Sequence, residues 1–380
     1  MSNHYRDLFP KMQAKLNEFI FEVPQETENL LSLPYPYIAS SKDGTQSYAD
    51  TFFINLGLLH LKQIEMARYN VENLLSLFSR FGYIPASNRK DKSDHSELPF
   101  LPWMVRDVYR STGDKEWLRR VLPTVIDEYH FWTEAPHRSS SGLYRFKSHA
   151  TDTETARRLT MAESLWIDSP RFQHSVEIDP IDLNALLYRN ALLIHDLQIE
   201  ADGQGDPTWL KKAEKLKKMI EICWDNQQSF YFDNNFGEKT TSPIKSLASF
   251  MPLFVEMVDS ARAEKMVKKI ALFFQPGGLS CTDQDYGYSN RSWNYPLGYA
   301  PYVYLILKGM MDYDFLEDAA DIGNNWLSMV AEVYEKTGEF WEWYNVVERR
   351  CDTPAGIQNK PVWGWTIGTF IAIVDELGLV

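Results

Sequence analysis

Cysteine is scarce: three residues in 380, Cys223, Cys281 and Cys351, stand too far apart for a metal-ligand pair and cannot all pair with one another. That excludes a disulfide framework and a structural zinc, and predicts reduced thiols. Lysine and arginine never form a run, and the formal net charge is −13. A polyanion is held by clustered cations that release its counterions, so no nucleic-acid partner is expected. No window approaches the roughly 18 apolar residues that a membrane span requires, and no membrane association is expected. The opening residues, Met1-Ser-Asn-His-Tyr-Arg-Asp7, lack the apolar stretch of a signal peptide, from which a cytoplasmic chain is expected. Glycine-rich phosphate loops, His/Cys/Asp/Glu clusters and a serine-nucleophile arrangement are also missing, so neither cofactor nor metal is expected.

Apolar residues are plentiful, at 44%, with 14% aromatic and twelve tryptophans. A chain of this size can bury a large core. Flat rings serve a helical core and the apolar faces of sugars equally well. Helical spacing dominates, as in Leu183, Leu186, Leu187, Ala191, Leu192 and Ile194, and alternating strand-like runs are few, which makes the chain all-α. Periodicity and breakers together predict helices near 5–21, 49–64, 66–81, 97–111, 114–134, 179–199, 207–224, 242–256, 258–273, 297–311, 313–334 and 362–377.

The connections alternate in length. Segments 22–48, 82–96, 135–178, 225–241, 274–296 and 335–361 are long and rich in Pro, Gly, Ser and Asp, whereas Ser111-Thr-Gly-Asp114 and 200–206 are short turns with capping residues. If neighbouring helices run antiparallel, all the long connections emerge at one end. Six long loops on one face point to a pocket there. No Pro/Gly/Ser linker divides the chain, so one domain spanning 1–380 is expected.

Several phrases then fall in a fixed order. Tyr48-Ala-Asp-Thr-Phe-Phe53, Gly82-Tyr-Ile-Pro-Ala-Ser-Asn-Arg89, Ala162-Glu-Ser-Leu-Trp-Ile-Asp-Ser-Pro-Arg-Phe172, Ile181-Asp-Leu-Asn-Ala-Leu-Leu-Tyr188, Trp293-Asn-Tyr-Pro-Leu-Gly-Tyr-Ala-Pro301 and Val362-Trp-Gly-Trp-Thr-Ile-Gly368 span nearly the whole sequence. The ordered set resembles the trehalase family of glycoside hydrolases. Asp168-Ser-Pro-Arg-Phe172 and Trp341-Glu-Trp-Tyr344 are also similar to elements of the related processing α-glucosidases and mannosylglycerate hydrolases. The resemblance implies an (α/α)6 toroid with the matched loops at its mouth, and hydrolysis of a small α-linked glucoside by inversion.

Inverting hydrolysis needs one carboxyl to protonate the leaving oxygen and another to activate water, about 6.5–9.5 Å apart. In the family the acid is the Asp that follows Gly-Trp, and Ile167 stands at that position. Asp168 serves only if the loop shifts by one residue, and a turn or capping role accounts for it equally well. His174 is another possible donor. The trehalase base, a Glu within Gly-Gly-Glu-Tyr, has no counterpart in 353–360. In the glucosidase branch the corresponding acid resembles Glu342, between Trp341 and Trp343, where apolar packing raises a carboxyl pKa.

For substrate binding the resemblance implies Asp50, Asn88, Arg89, Glu163, Trp166, Arg171, Trp293, Asn294, Trp341 and Trp363. Asp50 either grips sugar hydroxyls or stabilises a helix N-terminus. Asn88 and Arg89 either bind vicinal hydroxyls or a carboxylate, or brace their loop. Glu163 and Arg171 are expected as a buried pair that shapes the loop. Against these stand departures: Ala49 for a family Trp, Ala86 for Asn, Asn294 for Asp, and His95-Ser-Glu-Leu-Pro99 in place of Arg-Ser-Gln-Pro-Pro. They leave open a sugar-binding protein that has lost catalysis, or a barrel turned to other acid/base chemistry on a less polar ligand.

Overall fold

The computed structural model describes residues 5, 7–146, 152–173, 175–287, 292–352, 358–361 and 363–379; His174 lies outside them. Among these residues thirteen α-helices form. They are α1 Phe9–Asn17, α2 Tyr48–His60, α3 Ile64–Phe81, α4 Leu101–Thr112, α5 Lys115–Thr133, α6 Thr153–Glu163, α7 Ile181–Asp202, α8 Thr208–Ile220, α9 Met251–Phe254, α10 Ser260–Ile270, α11 Ala300–Asp312, α12 Leu316–Thr337 and α13 Gly364–Glu376.

Six of them close a ring in the order α2, α4, α7, α9, α11, α13, with α13 packed back against α2. Two of the ring helices, α2 and α13, are buried on every side, as helices inside a core must be. In α2 every residue from Tyr48 to Leu58 is buried, and in α13 every residue from Gly364 to Val374. The partner helices are amphipathic. In α8 Trp209, Ala213, Leu216 and Ile220 face inward, and in α10 Ala263, Met266, Val267 and Ile270 do. This double ring is the (α/α)6 toroid expected from the resemblance.

Close approach in the ring depends on glycine where α2 meets α13. A Cβ on Gly57 would lie 2.6 Å from the Cα of Gly368. The short turns carry capping chemistry: Gly113 ends α4 at φ +66°, and Asp114 accepts a 2.9 Å hydrogen bond from the Trp117 amide to start α5.

Three predicted helices are shorter than the periodicity implies. The first begins only at Phe9 and ends at Asn17. The 242–256 segment yields a 3-10 turn at Leu247–Phe250 followed by one helical turn, and 207–224 ends as a helix at Ile220. The long 135–178 connection holds a helix of its own, α6, capped by Asp152, whose carboxylate accepts from the Thr155 amide at 2.8 Å. Two-residue strands tie the loops to one another, for example Leu297–Gly298 against Tyr344–Asn345. Every long loop leads into the N-terminus of a ring helix, which brings all six to one end.

Candidate active site

At that end a cavity of about 430 Å³ opens. Among the described residues five of the long loops line it: residues between Ser40 and Ser47 before α2, between Ala86 and Glu97 before α4, Leu165 and Ile167 before α7, Ser292, Trp293 and Tyr299 before α11, and Glu342, Trp343, Gln358, Lys360 and Trp363 before α13. A slightly larger hollow, about 530 Å³, opens at the opposite end of the ring. Its charges are largely neutralised in pairs, Arg106 with Asp107, Arg189 with Glu256 and Lys308 with Asp312. The loop-side cavity instead gathers three carboxyls, Asp50, Glu97 and Glu342, that burial shifts upward.

Glu342 is fixed through its backbone. Its amide donates to the Lys360 carbonyl at 3.0 Å, and its carbonyl accepts from Trp365 Nε1 at 3.1 Å. The adjoining Trp341 carbonyl accepts from Thr366 Oγ1 at 2.7 Å, which pins this loop to the first turn of α13. Among the described residues nothing hydrogen-bonds the Glu342 carboxyl. Burial pushes it up to about 7; Lys360 pulls it down, and Asp50 adds to the rise.

Asp50, in the first turn of α2, is 2% exposed and is raised to about 6 by burial, against a hydrogen bond from Ser40. It interacts electrostatically with both Glu342 and Glu97. Glu97 was not singled out from the sequence. Its Oε2 accepts from the Ala49 amide and from Ser47 Oγ, both at 3.0 Å. Burial first, and then Asp50, raises it to about 7.

One wall is aromatic. Trp293 stacks on Tyr299 with centroids 3.7 Å apart, and Trp343, Trp363 and Trp365 continue it. The Lys360 ammonium sits 5.1 Å over the Trp363 ring. Arg89 reaches the cavity with its guanidinium held by Asp91 at 2.8 Å and Asp43 at 3.4 Å.

Of the residues picked from the sequence, Glu342, Asp50, Arg89, Trp293 and Trp363 line the cavity. The others stand behind it. Asn88 is buried, its Oδ1 accepting from the Gln46 amide at 2.9 Å and its Nδ2 donating to the Tyr37 hydroxyl at 3.1 Å. Asn294 is spent on Thr282 and Asp285. Trp166 is wholly buried behind Trp293, with centroids 5.0 Å apart, and Trp341 turns its Nε1 to Thr337.

The expected Glu163–Arg171 pair does not form. Arg171 is clamped between Asp182, at 2.8 and 2.9 Å, and Asp233, at 2.9 and 2.8 Å, while Glu163 lies 3.6 Å from His137. The loop has not shifted to bring Asp168 forward either. Ile167 lines the cavity at 47% exposure, and Asp168, at φ +63°, is not among its lining residues. Successive side chains on such a loop point to different sides, so the two cannot share the place.

A family profile described as Trehalase matches residues 3–177 and 169–378. The chain belongs to the trehalase family. Among curated relatives, the periplasmic trehalase of Pseudomonas aeruginosa is 28% identical over 430 residues, covering all of this chain and 77% of the relative. That of Citrobacter koseri is 27% identical, covering 92% and 69%. Neutral trehalase from Saccharomyces cerevisiae shares the fold with a TM-score of 0.81 at 22% identity, over 90% of this chain and 73% of that one. A GH63 mannosylglycerate hydrolase from Thermus thermophilus, solved with glucose, superposes with a TM-score of 0.72 at 17% identity, over 97% and 100%.

This trehalase-family chain is therefore a trehalase-like glycoside hydrolase. The readings without hydrolysis gain no support from these relatives. One expectation is overturned: the matched curated trehalases are named periplasmic, and the cytoplasmic setting read from the opening residues is withdrawn.

Proposed function

We propose that the chain hydrolyses a small α-linked glucoside with inversion, and that Glu342 is the carboxylate that activates water. The observation that carries this is Glu342 itself: a carboxyl at the cavity wall, its backbone pinned at both ends and its side chain unclaimed among the described residues. A pKa near 7 suits a group that must accept a proton at neutral pH. The cavity volume falls in the range of small-molecule sites. Asp50 and Arg89 supply polar contacts to the sugar, and Trp293 and Trp363 offer apolar faces. Asn88, Glu163, Trp166, Arg171, Asn294 and Trp341 hold the loops in place.

One buried cluster runs from Tyr5 to Val374, which supports a single domain. A periplasmic setting is the one that the named relatives support. The test is Glu342→Gln, assayed on trehalose, kojibiose and glucosylglycerate. Loss of turnover by about 100-fold or more, the scale of acid/base catalysis, is expected. Undiminished activity would remove Glu342 from this role.

A further inference from the structure

The family's proton donor is replaced by Ile167, whose hydrocarbon side chain faces the cavity. A substitute must line the same cavity, carry a proton and keep an oxygen free to deliver it. Among the described residues four carboxyls line the cavity: Asp43, Asp50, Glu97 and Glu342. Glu342 already has the water. For Asp43, burial is outweighed by hydrogen bonds from Thr45 and Ser41, and its carboxyl is lowered and therefore ionised. Asp50 is engaged with Ser40 and is already assigned to holding the sugar.

Glu97 meets all three conditions. Both of its hydrogen bonds fall on Oε2, so the carboxyl is oriented through one oxygen while Oε1 has no partner among the described residues. It stands where the resembled motif carries Gln, so one cavity has lost an acid at 167 and gained one at 97. Asp50 interacts electrostatically with both Glu97 and Glu342. Glu97 enters the cavity from the loop before α4 and Glu342 from the loop before α13.

We propose that Glu97 is the general acid of this enzyme, replacing the donor lost at Ile167. The inference rests on the hydrolytic reading given above. In the reaction the Glu97 Oε1 proton passes to the glycosidic oxygen as the C1–O bond breaks, which leaves the Glu97 carboxylate and the free aglycone hydroxyl. Water adds to C1 from the other face and gives its proton to Glu342. The proton then returns from Glu342 to Glu97 through solvent, and the net change is the consumption of one water.

The test compares a substrate that needs a proton on its leaving group with one that does not. Glu97→Gln, close in shape, is assayed on whichever of trehalose, kojibiose and glucosylglycerate the wild type cleaves, and on α-D-glucosyl fluoride. Loss of a general acid is expected to cost about 100-fold or more on the disaccharide or glucoside and less than about tenfold on the fluoride. Adding Ile167→Asp to Glu97→Gln is expected to restore part of the loss. Equal losses on both substrates, or none on either, would overturn the role of Glu97 and leave the hydrolytic reading standing. If the folded wild type cleaves neither class, the hydrolytic reading falls and the donor falls with it.

Discussion

Arg171 is the strongest single hold on the loop that carries Ile167. Its guanidinium makes four hydrogen bonds between 2.8 and 2.9 Å to Asp182 and Asp233 and lies 5.0 Å over the Trp166 ring. All three charged groups are buried. Arg171→Met keeps the length of the side chain and removes the charge, leaving two carboxylates facing each other out of water. Breaking a buried ion pair in this way costs about 3–5 kcal/mol. Unfolding entropy near 2.1 cal/mol/K per residue gives roughly 0.8 kcal/mol/K for 380 residues, so the melting temperature is expected to fall by about 4–6 °C. Replacing all three groups with apolar residues of similar volume is expected to recover most of that loss. Thermal melts followed by circular dichroism measure both effects. A fall of less than about 1 °C for Arg171→Met would refute the claim that this cluster fixes the loop.

Glu128 is buried and accepts a hydrogen bond from the Tyr48 hydroxyl, and burial pushes it from 4.5 up to about 8. Because the folded value lies above the unfolded one, its proton is favoured in the native state, and stability is lost as pH rises from about 4.5 towards 8. At ~1.4 kcal/mol per unit, Glu128→Gln is expected to exceed wild type by ~3 kcal/mol or more at pH 9 and to lose that advantage at pH 5. Urea titrations at the two pH values check it, and parallel behaviour at both would contradict it. Gly57→Ala places a methyl group 2.6 Å from the Gly368 Cα. A loss of about 1–3 kcal/mol is expected from overpacking, and an unchanged melt would mean that α2 and α13 are not so close. The kcat/KM of the wild type is expected to be bell-shaped around pH 7, rising as Glu342 ionises and falling as Glu97 loses its proton, whereas a flat profile from pH 5 to 8 would argue against both roles.

The double ring was legible because the loops alternate in length and the outer partner helices carry a clear helical period. Helix α7 starts within two residues of its expected position, and α8 and α10 show their inward faces in the sequence alone. Helix α6 escaped because a polar segment inside a long connection carries little periodicity, although the Asp152 cap was there to be read. Pro243 stands at the start of the 242–256 segment, and Pro252 is the second residue of the one helical turn it keeps. At the site, Glu342 and Asp50 stood out through their motifs. Glu97 was visible only as Glu in place of Gln. What gives it meaning is tertiary: the 82–100 loop lies against the α2 N-terminus, and the Ala49 amide takes one carboxyl oxygen. Arg171 drew notice as a motif residue, but Asp233 lies 62 residues away in sequence, beyond any local pattern. Ile167 and Asp168 were a choice between adjacent residues, and side-chain direction on a loop is set by packing that sequence spacing does not encode.

The central claim is inverting hydrolysis of an α-glucoside, and the most direct measurement is the anomer first released. Folded protein is mixed with trehalose, kojibiose and glucosylglycerate in turn, and the C1 proton of the product glucose is followed by NMR before mutarotation. The account predicts β-glucose first from at least one of them. First release of α-glucose, or no glucose from any of the three with the protein folded, would contradict it.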